Sequence, residues 1–254
     1  MTVDDERWYG DNRDWWDEKV PLHVEGEFYR VREFLDGEEQ LRPFELAELG
    51  DVAGRTLFHP QCHFGQDTLS WARHGARVTG LTVVVHSLTP RGLGDKLLAS
   101  VNNGVNVIQM DLEKGLVGLE DGFFDHVIMS LSLQAMRNTQ GILAEMLRVG
   151  REAVVSFPNF AYWRHRQAIL NGRMPVSKNL PYQWYDTPNV RFFTIDDFNE
   201  LCAREGILIR EQLAFDEDKV IVEEPNFLAS VALYRLARAD SGSSWRRMAM
   251  RPRA

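Results

Sequence analysis

Basic residues, cysteines and long apolar stretches are all scarce in this chain, and each shortage excludes a class of protein. Against 37 Asp and Glu residues there are only 29 Lys and Arg, which gives a net charge of −8. An acidic surface argues against a nucleic-acid partner, because binding phosphates needs a basic face. No apolar run approaches the length of a membrane span, so we expect no membrane partner. The acidic, Trp-rich start of the sequence does not fit a signal peptide.

The two cysteines, Cys62 and Cys202, are too few for a disulfide framework. They fit a reducing compartment, and we expect a cytoplasmic protein. Cys62 is followed by His63, but no second Cys/His pair has the spacing that would complete a zinc site. We therefore expect no bound metal.

Apolar stretches and turn residues alternate regularly from residue 55 onwards. The predicted strands cover 56–59, 77–81, 106–110, 124–130, 152–157, 207–213 and 227–235. The predicted helices cover 67–74, 96–101, 139–148 and 195–205. Strands that alternate with helices indicate an α/β fold: a seven-stranded, mostly parallel sheet with helices on both faces. Ligands bind at the carboxyl ends of the strands in such sheets.

Composition divides the chain further. Residues 1–50 are rich in aromatic residues and are predicted to form an N-terminal cap on a main domain over 51–238. Residues 158–190 carry four prolines and six aromatic residues, which is typical of an insertion over the carboxyl edge of the sheet and not of a simple crossover. The Ser-, Gly- and Arg-rich tail, 239–254, is expected to be disordered.

One stretch indicates a cofactor. The sequence TLFH (56–59) is a short apolar strand, and QCHFGQDTL (61–69) turns through Gly65 into a helix. A residue without a Cβ lets the backbone approach a ligand closely, and the N–H groups at the helix start can serve ligand oxygens. The stretch resembles motif I of the class I S-adenosylmethionine (SAM) dependent methyltransferases, and residues 1–80 as a whole resemble one subgroup of them. The resemblance implies a Rossmann-like fold and SAM as the cofactor.

The resemblance also implies where SAM would bind. Asp111 follows a predicted strand where these methyltransferases have the acid that accepts a hydrogen bond from the adenine amino group. Its alternative role is to cap the next turn. Thr82 stands at the tip of the second strand, where most members carry an Asp or Glu that binds the ribose hydroxyls. The predicted cofactor-binding residues are Gln61, His63, Gly65, Thr82, Asp111, Leu112 and Ser130.

The aromatic residues near the predicted site have two interpretations. Trp16 and Tyr29 form a lid over the cofactor, as the resembling subgroup suggests, or they simply cap the edge of the sheet. Tyr162, Trp163 and Tyr185 contribute to an acceptor pocket or a protein interface, or they belong to a loop that packs on itself. No catalytic residue is assigned, since methyl transfer from SAM mainly needs donor and acceptor held in line.

A second resemblance covers residues 104–206. The sequences SFPNF (156–160) and LPYQWYDTPN (180–189) are long and unusual, and they are similar to the bacterial MetW family of methionine biosynthesis. MetW proteins have the SAM-methyltransferase fold and are associated with homoserine O-acyltransferase. The resemblance implies a methyltransferase-like protein acting on a small molecule. The alternative is a non-catalytic partner of the acyltransferase, which the neutral Thr82 favours because it loses charge-assisted bonds to the ribose.

Overall fold

The structure is a computed structural model that describes residues 30–60, 65–82, 106–109 and 112–239. The chain divides into two compact units, Met1–Met110 and Asp111–Ala254. Each unit has its own set of strands and helices.

The described part of the first unit contains three parallel strands, and the second of them along the chain pairs with both of the others. Leu57 and Phe58 in the first strand are both completely buried, as expected of a parallel strand that is covered on its two faces. The strands are β1 Thr56–Pro60, β2 Arg77–Thr82 and β3 Asn106–Gln109. The helices of this unit are α1 Val31–Leu35, α2 Pro43–Leu49 and α3 Gln66–Arg73.

Two local contacts hold these helices. Pro43 opens α2, and the Glu45 side chain accepts a hydrogen bond of 3.0 Å from the backbone N–H of Arg42, which caps the helix start. The guanidinium of Arg73 lies 4.0 Å from the ring centroid of Phe34 and donates to the Phe34 carbonyl at 2.9 Å. This second contact attaches α1 to α3 through a cation–π interaction and a hydrogen bond.

The described part of the second unit contains five strands: β4 Phe124–Met129, β5 Gly150–Pro158, β6 Ile207–Asp216, β7 Lys219–Val220 and β8 Val231–Arg238. They lie in the order β4–β5–β8–β6–β7. Strands β4, β5 and β6 run in one direction, because β4 pairs parallel with β5 and both β5 and β6 pair antiparallel with β8. The helices are α4 Thr139–Val149, α5 Trp163–Leu170, α6 Ile195–Glu205 and α7 Pro225–Leu228, with 3-10 turns at Leu112–Lys114 and Leu133–Ala135.

An aromatic cluster forms the core of the second unit. The ring of Phe157, near the end of β5, lies 4.8 Å from that of Phe198 in α6 and 4.6 Å from that of Phe193. Phe198 also meets Tyr234 of β8 at 4.7 Å, edge to face. Aromatic pairs at such distances add to the free energy gained by burying their area. The cluster packs α6 against the sheet. Phe193, which precedes α6, packs on the same strand through Phe157.

The α/β fold and the mostly parallel direction of the strands are confirmed, and one strand prediction needs correction. The strand predicted over 227–235 begins only at Val231, because Pro225 starts the short helix α7. Strand β7 and helix α5 were not predicted; β7 has two residues, too few for an alternating pattern. The predicted helix over 96–101, the first 29 residues of the predicted cap and almost all of the tail lie outside the described residues.

The chain between β5 and α6 leaves the sheet and is anchored by Asn159, which is completely buried. Its side-chain N–H groups donate to the carbonyls of Asn226 and Ala229 at 3.0 and 2.8 Å. Its side-chain oxygen accepts from the N–H of Ala161 at 3.1 Å, and its backbone N–H donates to Ser230 at 2.9 Å. The anchor therefore joins the end of β5 to the segment that precedes β8.

Replacing Asn159 with Ala is expected to lower the free energy of unfolding by about 2–4 kcal/mol, because two carbonyls and one N–H lose their partner in a buried place. The measurement is urea unfolding followed by circular dichroism. Asn171→Ala, at an exposed position after α5, is the matched control. Equal stability of the two variants would contradict the anchoring role.

Candidate functional site

In the first unit, Gly65 and the start of α3 have the geometry of a ligand-binding helix start. Gly65 precedes the helix with φ 80°, a left-handed conformation that favours glycine, and its carbonyl accepts from the N–H of Leu69 at 2.8 Å. The first N–H groups of a helix have no partner within it. They can therefore serve the oxygens of a ligand that approaches this turn.

A buried contact joins β1 to α3. His59, the fourth residue of β1, is almost completely buried, and its Nδ1 lies 2.9 Å from Oγ1 of Thr68 in α3. Thr68 is buried as well. The contact joins the strand to the first turn of the helix.

Asp67, one residue into the same helix, carries the most perturbed carboxyl group of this unit. Burial raises its pKa to about 7, and the carboxylates of Glu45 and Glu39 act in the same direction, while Arg42 opposes them. Asp67 is consequently a carboxyl group with a pKa near neutrality in the first turn of the helix that follows Gly65, a predicted cofactor residue. Such groups concentrate at functional sites, though ion-pair clusters also produce them.

Thr82 is the last residue of β2, and its backbone pairs with Gln109 of β3. It therefore lies at the carboxyl end of its strand, as predicted; its role at that position stays a prediction. Five other predicted site residues lie outside the described residues: Gln61, His63, Asp111, Trp16 and Tyr29.

In the second unit, Ser130 follows β4 directly and is half-buried. Its hydroxyl lies 3.2 Å from that of Ser156 on β5, and Ser156 Oγ also accepts from the N–H of Leu131 at 3.0 Å. Leu131 has φ 47°, which is uncommon for a residue with a branched side chain. The serines hold this backbone at the carboxyl edge of the sheet. Leu112, the first residue of its 3-10 turn, is buried.

Gln134 is a polar residue of this edge that the sequence analysis missed. Its side-chain N–H donates to the carbonyl of Leu131 at 2.6 Å, and its side-chain oxygen is buried with no hydrogen-bond partner in the described part of the chain. Its backbone carbonyl accepts from the N–H groups of Val190 and Arg191, both at 3.0 Å. The loop after β4 is thus bonded to the end of the long segment that precedes α6. A buried Gln cannot be recognised from one sequence, since Gln is usually exposed.

The three aromatic residues predicted on the substrate side lie in two places. Tyr162 precedes α5, is buried, and its hydroxyl donates to Asp216 at 3.1 Å; burial, and then Asp216, raise its pKa. Trp163 packs edge to face on Tyr162, with ring centroids 5.9 Å apart. Tyr185 is 70% exposed and packs edge to face on Trp184. The structure therefore brings Tyr162 and Trp163 together and places Tyr185 beside Trp184.

The segment between α5 and α6 contains a pocket of about 280 Å³. Its walls combine apolar residues with three neutral polar ones and carry no charged side chain. A cavity of this size is at the lower end of the range for small-molecule sites. The lining residues are Phe160, Met174, Pro175, Leu180, Tyr182, Gln183, Trp184, Thr187, Asn189 and Phe192.

His165 fixes the segment that carries this pocket. It is buried, and its Nδ1 lies 3.1 Å from the carbonyl of Asn159 while its Nε2 lies 3.1 Å from the Ser177 hydroxyl. Because a carbonyl can only accept, Nδ1 carries the proton and Nε2 accepts from the serine. Burial lowers the pKa of His165, which keeps the ring neutral and this pattern intact.

Two searches of the described residues gave negative results. They contain no cluster of three or more His, Cys, Asp or Glu side chains arranged to hold a metal ion. Within the same ranges, no helix is both long and apolar enough to span a membrane.

Comparison with solved structures defines the class of fold. A SAM-dependent methyltransferase from Mesorhizobium loti superposes with a TM-score of 0.57 at 21% identity, covering 80% of this chain and all of that one. Magnesium protoporphyrin IX methyltransferase from Synechocystis, solved with bound S-adenosylhomocysteine, gives a TM-score of 0.51 at 14% identity, covering 86% of this chain and 97% of that one. The chain has the Rossmann-like fold of the class I methyltransferases, as predicted.

Sequence comparison then identifies the family. The family model described as methionine biosynthesis protein MetW matches residues 77–236, and the chain belongs to this family. The match extends on both sides of the 104–206 stretch that resembles MetW. The bifunctional methionine biosynthesis protein MetXA/MetW of Rhodopirellula baltica is 37% identical over 177 residues, or 68% of this chain. The matched region is 28% of the length of that relative.

The raised pKa of Asp67 predicts a pH dependence of stability. In the unfolded chain this carboxyl group ionises near pH ~4, whereas the folded protein keeps it protonated up to about pH 7. Between these values the folded state binds more protons, so its stability falls as pH rises. Asp67→Asn removes this penalty and is expected to gain at least ~1 kcal/mol over the wild type between pH 4 and pH 8.

Urea unfolding at the two pH values measures this difference, with Asp36→Asn, at an exposed position after α1, as control. Parallel pH curves for Asp67→Asn and the wild type would show that the carboxyl group is not shifted.

Proposed function

We propose that this MetW-family chain binds SAM and acts as a methyltransferase on a small-molecule acceptor. The observation that carries the proposal is the entry into α3, where Gly65 in a left-handed conformation follows a buried parallel strand. Several solved proteins of the same fold are SAM-dependent methyltransferases by name. SAM supplies an activated methyl group, so the chain needs to bind donor and acceptor in line and exclude water.

The residues present fit such a cofactor. The start of α3, directly after Gly65, suits the carboxylate of SAM, because a helix start favours anions. Asp111 would accept from the adenine amino group, and Leu112, which follows it, supplies buried apolar surface. The full cofactor set remains the one predicted from the sequence: Gln61, His63, Gly65, Thr82, Asp111, Leu112 and Ser130.

We assign Tyr162 and Trp163 to the acceptor side, with Tyr185 further out on the exposed segment. Because the Tyr162 hydroxyl already donates to Asp216 and its pKa is raised, it suits a positioning role better than that of a base. Trp16 and Tyr29 remain candidates for a lid over the cofactor. The proposed lid rests on the aromatic composition of residues 1–50.

A second candidate function is that of a partner of homoserine O-acyltransferase. The observation that favours it is the name of the bifunctional relative, MetXA/MetW, of which this chain matches only one part. Two proteins that are joined in one chain in a relative are held at high effective concentration there. A separate chain would achieve the same proximity by binding, and it would work in the compartment where methionine is made.

SAM binding is tested by calorimetric titration of the purified chain with SAM and with S-adenosylhomocysteine, alongside Thr82→Asp and Thr82→Asn. An acid at this position would accept charge-assisted bonds from the ribose, so Thr82→Asp is expected to bind about 10–100-fold more tightly than the parent. Thr82→Asn has the size of Asp without its charge and should gain much less.

Binding by the parent in the micromolar range would support the methyltransferase function and start a search for the acceptor. Binding by Thr82→Asp alone would favour the partner function, since the natural residue would then prevent cofactor use. If no variant binds SAM, the methyltransferase proposal is wrong.

A further inference from the structure

Exposed apolar side chains concentrate on one segment of the second unit. Sixteen large apolar residues are exposed in the described ranges, and half of them lie between residues 169 and 192. Large exposed apolar patches on a folded protein usually mark an interaction site. The eight residues are Ile169, Leu170, Met174, Val176, Trp184, Tyr185, Val190 and Phe192. We call the surface formed by residues 160–192 the aromatic face.

Hydrogen bonds to buried residues hold the aromatic face in place. His165 bonds both to Asn159 and to Ser177, and Ser177 forms a two-bond bridge with Leu180, at 2.9 and 3.0 Å. At its far end, the backbone of Val190 is bonded to Gln134. A binding surface that is already ordered loses less conformational entropy when a partner docks.

The pocket in this face suits a side chain of a protein better than a free small molecule. Three of its lining residues, Trp184, Phe192 and Met174, are themselves 70%, 55% and 50% exposed. Small-molecule sites bury most of the surface of their ligand. Walls as exposed as these would leave much of a small ligand in contact with solvent. A protein partner would cover the walls and the pocket together, as happens around anchor residues at interfaces.

Charge indicates what kind of protein fits. Between residues 160 and 192 there are five Lys or Arg residues and a single acid, Asp186, in a chain whose net charge is −8. Arg166 is engaged with its own segment through the carbonyl of Ala161, at 2.6 Å. Arg173 and Lys178 are exposed and flank pocket residues in the sequence. The aromatic face is therefore apolar with basic residues around the pocket, the complement of an acidic surface with an apolar anchor.

We propose that the aromatic face is the surface by which this chain docks on homoserine O-acyltransferase, with an apolar side chain of an acidic patch of that enzyme seated in the pocket. The proposal rests on the second function proposed above and adds the surface, the anchor and the sign of the charge. Trp184 and Phe192 are its central apolar contacts. Arg173 and Lys178 provide the electrostatic attraction that speeds association.

The test is binding of the purified full-length chain to purified homoserine O-acyltransferase of the same organism, measured by biolayer interferometry. Trp184→Ala and Phe192→Ala are each expected to weaken binding at least ~10-fold, as at interface hot spots. Arg173→Glu with Lys178→Glu should slow association and reduce its dependence on salt. Phe123→Ala and Lys219→Glu, at exposed positions of the second unit outside the aromatic face, are the matched controls.

Loss of binding in the variants of the aromatic face but not in the controls supports the proposal. Undiminished binding by all variants overturns the proposed surface and leaves the partnership standing. No binding by the wild type overturns both. A SAM titration of the same preparations separates these results from the methyltransferase function, because changes at the exposed Trp184 should leave cofactor affinity unchanged.

Discussion

The buried amide of Asn159 is the constraint on which the candidate functional surfaces of the second unit depend. Asn159 satisfies four polar groups from two other stretches of chain, Ala161 and residues 226–230, and so fixes the point at which the backbone leaves the sheet. A buried amide that bonds only partly would destabilise this departure, so the network acts as a unit. The segment between α5 and α6, which carries most of the pocket residues, therefore follows an anchored position in the chain.

Most strands and helices could be predicted from the sequence, because these elements carry strong sequence patterns. Buried parallel strands such as Thr56–Pro60 read as apolar runs, and α6 carries a complete capping box between Thr194 and Asp197. The predicted start of the last strand, residue 227, was wrong. Pro225 begins a short helix there, and the strand starts four residues later, at Val231. Helix α5 was missed because its exposed apolar residues, Ile169 and Leu170, do not follow the period of a helix that packs on a core.

The site was harder to predict than the fold, for a physical reason. Gly65 stands out in sequence because its role depends on backbone freedom, and the structure gives it a left-handed conformation that favours glycine. Gln134 and Asn159 form hydrogen bonds to residues far along the chain: Gln134 to Val190, and Asn159 to Ala229. No local sequence pattern predicts such distant partners. The charge of Asp67 depends likewise on Glu45, which lies on another helix.

The double hydrogen bond on the Gln134 carbonyl has a consequence for regulation. It joins the loop that begins at Ser130, a predicted cofactor contact, to Val190 and Arg191 on the aromatic face. Any ligand that shifts this loop would also shift Val190 and Arg191, which belong to the proposed docking surface. Thermodynamic linkage then requires reciprocity: if the ligand changes the affinity for a docked protein, that protein changes the affinity for the ligand by the same factor. This one backbone carbonyl would therefore couple the affinity for a ligand at the loop after β4 to the affinity for a protein at the proposed docking surface.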